Sequence, residues 1–332
     1  MNQPLRVGMV GAGWVTQHHL EGWARLNGAA QVVAIADPDR AAAQARAEAF
    51  GIVHIFAGAE QMLDAIPLDA VDVAAPRECH AEAVRLAAAR GLPVLCQKPL
   101  APTLREARSL VAEVEGRSRL MVHENWRFRP YYRDLSRWLA EGRIGDVVQG
   151  QMTLLSSGLL PDADGALPAL VRQPFIATLE RALVMEILIH HIDTLRFLLG
   201  ELALRHARLG RASPAMRGED RAFLAFETAS GAPVSLLANL AVAGQPPGLV
   251  DRLTLIGTRG TIVLEGDTLT CFGARAARLT YDMPACYLHS YAAAIAHFVE
   301  CLRSGAPFET AARDNLRTLE LVEAAYAAEG RA

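Results

Sequence analysis

Through the first 130 residues the apolar positions fall into short continuous runs, separated by stretches where they recur every three or four residues. A continuous run suits a parallel strand covered by helices on both faces, and the spaced stretches suit helices with one apolar side. Leu5 to Val10, Val32 to Ala36, Val53 to Phe56, Ala70 to Ala75, Pro93 to Cys96 and Leu120 to Val122 therefore read as strands. Helices are expected from Trp14 to a stop at Asn27-Gly28, then over Pro38 to Phe50, Ala59 to Ala65, Cys79 to Arg90 and Thr103 to Glu115. Such regular alternation with short connections predicts an α/β fold with a doubly wound parallel sheet.

The pattern then changes. Arg129 to Ala140 reads as a helix, Val147 to Leu155 as a strand, and 156–178 as a Gly-, Pro- and Asp-rich loop, long enough to be a lid or a mobile insertion. A helix is expected over Leu179 to Leu199. Beyond Ala203, strands at Arg221 to Glu227, Val234 to Leu240, Val250 to Ile256 and Thr261 to Leu264 alternate with turn signals such as Gln245-Pro246-Pro247-Gly248. They form a mostly antiparallel meander with one face open to a second copy. Helices at Leu288 to Arg303 and Thr310 to Ala328 close the chain. At 332 residues the chain exceeds one typical domain, and the change of pattern puts the boundary at 1–122 and 123–332.

Composition narrows the partners. A formal charge of -3 and no basic run leave no electrostatic footprint for nucleic acid. No apolar run reaches membrane-spanning length, and a strand starting at Leu5 leaves no room for a signal segment, so a cytoplasmic protein is expected. The five cysteines are odd in number, scattered and without a C-x-x-C pair, which predicts reduced thiols and no metal site.

The first βαβ unit carries the clearest chemistry. Gly11 allows a tight turn after the first strand, and Gly13 lets the backbone approach a pyrophosphate held by the N–H groups of the helix start at Trp14 and Val15. Asp37 ends the second strand about 20 residues on, where a carboxylate accepts ribose hydroxyls and repels a 2′-phosphate, favouring NAD over NADP. Thr16 holds the third fingerprint position in place of Gly or Ala and predicts looser helix packing. In such sheets ligands lie beyond the carboxyl ends of the strands. The polar residues there are Pro76, Arg77 and His80, then Gln97, Lys98 and Pro99, then His123, Glu124, Asn125 and Arg127. Lys98, at the end of an apolar strand, is suited to exchange a proton with an alcohol beside a nicotinamide.

The segments GAGWVTQHHL, VVAIADPD, VLCQKPLAPTLREARSLV, ENWRFRP and EILIHHIDTLRFLLG together resemble the Gfo/Idh/MocA oxidoreductases, the glucose-fructose oxidoreductase and inositol dehydrogenase family. The resemblance implies an N-terminal Rossmann domain for NAD or NADP. It also implies a C-terminal α+β domain with a large, open, mostly antiparallel sheet that mediates homodimer or homotetramer formation. The family's Glu-Lys-Pro appears here as Gln97-Lys98-Pro99, which keeps the lysine and removes a charge beside it. Its Asp-x-Gly-x-His-x-x-Asp appears as Glu186, Leu188, His190 and Asp193. By resemblance His190 is the catalytic acid/base and Glu186 its partner, and Asn125, Arg127, His80 and Asp193 face substrate or nicotinamide; His191 has no assigned role. The expected reaction is NAD-dependent oxidation of a secondary hydroxyl of a sugar, cyclitol or polyol, without a metal. The alternatives are a nucleotide-bound regulator of the same fold and a keto-sugar reductase.

Overall fold

The computed structural model describes residues 3–26 and 28–330; Asn27, half of the expected helix stop, lies outside them, and Gly28 has φ 83°. The first elements are β1 Leu5–Val10, α1 Trp14–Ala24, β2 Ala30–Ala36, α2 Arg40–Phe50, β3 His54–Phe56, α3 Ala59–Ala65, β4 Ala70–Val73, α4 Arg77–Ala89, β5 Val94–Gln97, α5 Leu104–Val114 and β6 Leu120–His123. There follow α6 Pro130–Ala140, β7 Val147–Leu155, α7 Pro168–Arg172, α8 Ile189–Leu199, β8 Leu202–Gly210, β9 Arg221–Thr228 and β10 Pro233–Asn239. The chain ends with β11 Asp251–Gly257, β12 Gly260–Glu265, β13 Thr268–Gly273, β14 Ala277–Thr280, α9 Met283–Ser304 and α10 Ala312–Ala328.

The first six strands form one parallel sheet in the order β3-β2-β1-β4-β5-β6. The strand order reverses between β1 and β4, where a doubly wound sheet opens its ligand crevice. All four residues of β4, β5 and β6 are buried, which explains their mostly apolar character; Asp72, Gln97 and His123 are the polar residues buried with them. Val7, Met9, Ile35, Leu95 and Met121 of this sheet share a core with Leu20 and Trp23 of α1 and with Ile295 and Phe298 of α9. Two compact units result, Met1–Arg129 with Pro284–Arg317 and Pro130–Met283 with Thr318–Ala332. The expected single cut after residue 122 does not allow for this return of 284–317 to the first unit.

The second sheet has eight strands in the order β14-β13-β12-β11-β7-β10-β9-β8. Every neighbouring pair is antiparallel except β10 with β7, which is parallel, because β7 inserts between two runs of consecutive strands. It is thus two meanders joined through an earlier strand. The strands β8, β13 and β14 lack a long apolar run: β8 carries a register shift between Leu204 and His206, and β14 is only four residues long.

Two further expectations are corrected. Segment 156–178 is not structureless: it contains α7 and a 3-10 turn at Pro174–Thr178, and the Asp162 side chain accepts from the N–H groups of Asp164 and Ala166. The Ser157 and Leu159 N–H groups donate to Pro246 and Leu240 carbonyls, pinning its start to the sheet. The helix expected over 179–199 is an α-helix only from Ile189; Leu183–Leu188 forms a wider π turn. There the Val184 N–H donates to Glu219 Oε1 (3.1 Å) and the Met185 N–H to the Tyr326 hydroxyl (3.2 Å). These acceptors from outside satisfy first-turn N–H groups that have no partner within the helix.

Candidate active site

The turn after β1 is set by contact with β4. Gly11 has φ +103°, and a Cβ there would lie 2.5 Å from the Ala74 carbonyl oxygen. Gly13 caps α1 in an extended conformation, no side chain caps that helix, and a Cβ at Gly13 would meet nothing within 4 Å. The first-turn N–H groups at Trp14 and Val15 thus face open space, as a pyrophosphate requires. Thr16 does not loosen the packing: it is fully buried and its hydroxyl donates to Ala74 O (3.3 Å), tying α1 to the end of β4.

Asp37, at the end of β2, accepts from the Ala12 N–H at Oδ2 (2.7 Å) and from the Asp39 N–H at Oδ1 (2.8 Å). Each oxygen keeps a lone pair for a ribose hydroxyl. Arg46 of α2, which the sequence pattern does not mark, donates to the Gly13 carbonyl (3.1 Å) and to Gln17 (3.0 Å) and braces the turn from below. It lies in an Ala-rich helix with no motif around it, so only the fold shows its place. Glycines, helix start and acid together fit a dinucleotide.

Along the same carboxyl edge, Lys98 is half-buried and its peptide bond to Pro99 is cis. Its backbone is fixed from both sides. The Lys98 N–H donates to Gln97 Oε1 (2.6 Å), and the Pro99 carbonyl faces His80 Nδ1 (2.9 Å). His80 is buried, and its Nε2 faces the Ala75 carbonyl (2.8 Å) beside Pro76, the cap residue of α4. Both ring nitrogens face backbone carbonyls, one beyond β4 and one beyond β5, and the nitrogen that carries the ring proton donates to its carbonyl. Burial pushes its pKa below the ordinary histidine value. Asn125 donates to Ser290 Oγ (2.8 Å), and Arg127 donates to Glu309 O and to Asp314 (both 3.1 Å).

In the second unit Glu186 lies half-buried in the π turn, and His190, on the first turn of α8, is 9% exposed. Asp193 is fully buried and accepts from the Thr318 hydroxyl (3.1 Å), so it joins α8 to α10. His191 gains a structural role. Its Nδ1 faces the Ile187 carbonyl (3.2 Å) and its Nε2 the Asp251 carboxylate (3.0 Å), which also accepts from Tyr132 (2.8 Å). Next to the π turn lies a cavity of about 200 Å³ lined by Ser156, Ala169, Ile176, Ile187, Leu240 and Pro247. Segment 156–178 thus forms one of its walls.

Among the described residues no cluster of three or more His, Cys, Asp or Glu side chains is arranged to hold a metal ion, and no helix is long and apolar enough to cross a membrane. The five cysteines are free; Cys79 is exposed and the others are buried.

Comparison with known proteins agrees with this geometry. Residues 5–125 match the Gfo/Idh/MocA oxidoreductase family, NAD-binding Rossmann fold, and residues 132–263 match the GFO/IDH/MocA C-terminal domain. The chain is 34% identical to a D-apiose dehydrogenase of Paraburkholderia graminis, over 97% of this chain and 88% of the relative. It is 27% identical to an inositol 2-dehydrogenase of Rhizobium meliloti, over 97% and 96% of the two chains. An Agrobacterium radiobacter oxidoreductase, solved in complex with NAD+, L-tartaric acid and magnesium, superposes with a TM-score of 0.90 at 29% identity, covering 99% of this chain and 97% of that one. The glycine turn closed by Asp37, the parallel sheet that carries Lys98 and the large mixed sheet after it are accounted for together: this chain is an NAD-binding oxidoreductase and belongs to the Gfo/Idh/MocA family.

Proposed function

We propose that this enzyme oxidises a secondary hydroxyl of a sugar, cyclitol or related polyol with NAD. Lys98 and His190 are the groups that handle the hydroxyl proton, and Glu186 sets the charge and tautomer of His190. The observation that carries this reading is Lys98 itself, held half-buried by a doubly braced backbone on the sheet edge that also bears the glycine turn and Asp37. When bound, NAD supplies the hydride acceptor. Lys98 Nζ, as the neutral amine, takes the hydroxyl proton. Asn125, Arg127, His80 and Asp193 are the polar groups assigned to face substrate or nicotinamide. The names D-apiose dehydrogenase and inositol 2-dehydrogenase support the substrate class, and a cytoplasmic setting suits five free thiols.

The direct test is to incubate the protein with NAD and a panel containing D-apiose, myo-inositol, aldoses and L-tartrate, following the absorbance of reduced nicotinamide. Reduction by at least one polyhydroxy compound is expected. Tight NAD binding with no reduction across the panel would instead favour the nucleotide-bound regulator. In the same assay Asp37→Ala narrows the preference for NAD over NADP by roughly ten-fold or more, since a carboxylate that repels the 2′-phosphate is gone. An unchanged affinity ratio would remove the ribose role.

The second sheet supports a homo-oligomer. Strand register places Phe223 opposite Leu237, Ile256 opposite Thr261 and Thr261 opposite Phe272, and it links the two groups through Thr153 and Gln149 of β7. Phe223, Leu237, Ile256 and Phe272 therefore share one face, each 38–54% exposed. Such a face is covered in a stable assembly. The parent is expected to run in light scattering as a dimer or tetramer of 35.8 kDa chains, and a Phe223→Glu, Phe272→Glu double variant as a smaller species. A monomeric parent would refute this assembly.

A further inference from the structure

Behind Gln97 lies a buried chain of hydrogen bonds. Asp72 of β4 and His19 of α1 are both fully buried, and His19 Nδ1 lies 2.8 Å from Asp72 Oδ2. The Trp23 indole N–H donates to the same oxygen (2.7 Å). On the other side of the ring, His19 Nε2 lies 3.1 Å from Gln97 Nε2, and Gln97 Oε1 accepts from the Lys98 N–H at 2.6 Å. The His19 ring lies against His123, tilted by 36° with centroids 4.2 Å apart, and 5.7 Å from Tyr291, and His19, Asp72 and His123 are fully buried.

Only one arrangement of protons satisfies every member. The Lys98 N–H needs an acceptor, so the Gln97 amide must present its oxygen to it and its NH₂ to His19. His19 Nε2 must then be the bare, accepting nitrogen, which places the ring proton on Nδ1, where the Asp72 carboxylate takes it. The carboxylate thereby fixes the tautomer of His19, the tautomer fixes the orientation of Gln97, and Gln97 holds the backbone of Lys98.

We propose that Asp72 and His19 are positioning residues for Lys98, acting through Gln97. This rests on the reading of Lys98 as a proton-handling group.

The logic can be inverted by substitution. The Trp23 N–H and His19 Nδ1 meet the same Asp72 oxygen, which an Asn could still offer, so the substitution that removes the acceptor is Asp72→Val; there Nδ1–H has no partner and the ring proton moves to Nε2. Gln97 must then turn its oxygen to His19 and its NH₂ to the Lys98 N–H, and the hold on Lys98 is lost. Adding Gln97→Glu repairs this, because a carboxylate at 97 accepts from His19 Nε2–H with one oxygen and from the Lys98 N–H with the other.

The experiment measures kcat and KM for the panel compound that gives the fastest turnover, together with ¹⁵N chemical shifts of the His19 ring. The parent is expected to show the Nδ1–H tautomer. Asp72→Val is expected to show the Nε2–H tautomer, with kcat reduced roughly ten-fold and KM for NAD little changed. The Asp72→Val, Gln97→Glu double variant is expected to recover to within about three-fold of the parent. A residue that merely supports folding would not be rescued by a second change. An Nε2–H tautomer in the parent overturns the proposal, even if Asp72→Val fails to fold. So does a double variant that folds and is no faster than the folded single one. Full turnover by Lys98→Ala would instead sink the acid/base reading while the parent tautomer still reports on the relay, so the two failures are distinguishable.

Discussion

Lys98→Ala is expected to bind NAD like the parent and to lose about 10²- to 10⁴-fold in kcat, the usual contribution of a correctly placed proton-transfer group. Two contacts of this loop do not depend on the side chain: the Lys98 N–H still donates to Gln97 Oε1 and the Pro99 carbonyl still faces His80 Nδ1 when the side chain ends at Cβ. The melting temperature should hold within a few degrees, and so should the dissociation constant for NAD, whose proposed site is the glycine turn, Asp37 and the start of α1. The KM for the polyol should move less than kcat, because the lost interaction matters most as the hydroxyl gives up its proton. Stopped-flow measurement of nicotinamide reduction separates chemistry from product release. Parent-like single-turnover rates in this variant would show that another group takes the proton.

The sequence carried the scaffold of this site and less of its wiring, for physical reasons that differ residue by residue. A strand buried on both faces is mostly apolar, so β1, β4 and β5 are legible as runs, and Gly11 is legible because a positive φ beside β4 excludes other residues. Lys98, His190 and Glu186 stand out as polar residues among apolar ones. What sequence does not encode locally is the partner of a buried polar group. Asp72 sits in the run Ala70–Val73, where its neighbours read as strand and its role depends on His19, 53 residues earlier. Arg46 has the same character, since its acceptors lie 29 to 34 residues before it. The start of the π turn at Leu183–Leu188 is hidden for a related reason, since its first N–H groups are met by Glu219, just before β9, and by Tyr326 of α10, both far along the chain. The extra strands of the second sheet were obscured by short length and a register shift, where alternation is too brief to register as a pattern.

Gly11→Ala and Gly13→Ala should part company, although both glycines lie in the same three-residue turn. At Gly11 a methyl group meets two obstacles. The backbone has φ +103°, outside the regions open to an L side chain, and the added carbon would lie 2.5 Å from Ala74 O and 2.7 Å from Ala74 C. A backbone carbonyl at a strand end cannot rotate away as a side chain does, so β1 and β4 must separate at the crevice. That strain is worth roughly 3 kcal/mol or more, combining an unfavourable φ with overpacking. The melting temperature should fall by roughly 5–10 °C, and NAD binding should be lost with the turn. At Gly13 neither obstacle exists, since φ is -69° and nothing stands within 4 Å of the added carbon. This variant should melt with the parent and yet bind NAD roughly ten- to a hundred-fold more weakly, because the methyl group occupies the space through which the backbone approaches the pyrophosphate. Thermal melts and calorimetric titration with NAD on the two variants read the two effects separately. Parent-like affinity in Gly13→Ala would mean that the open space before α1 is not where the pyrophosphate lies, and equal melting temperatures for the two variants would mean that contact with β4 does not set the turn.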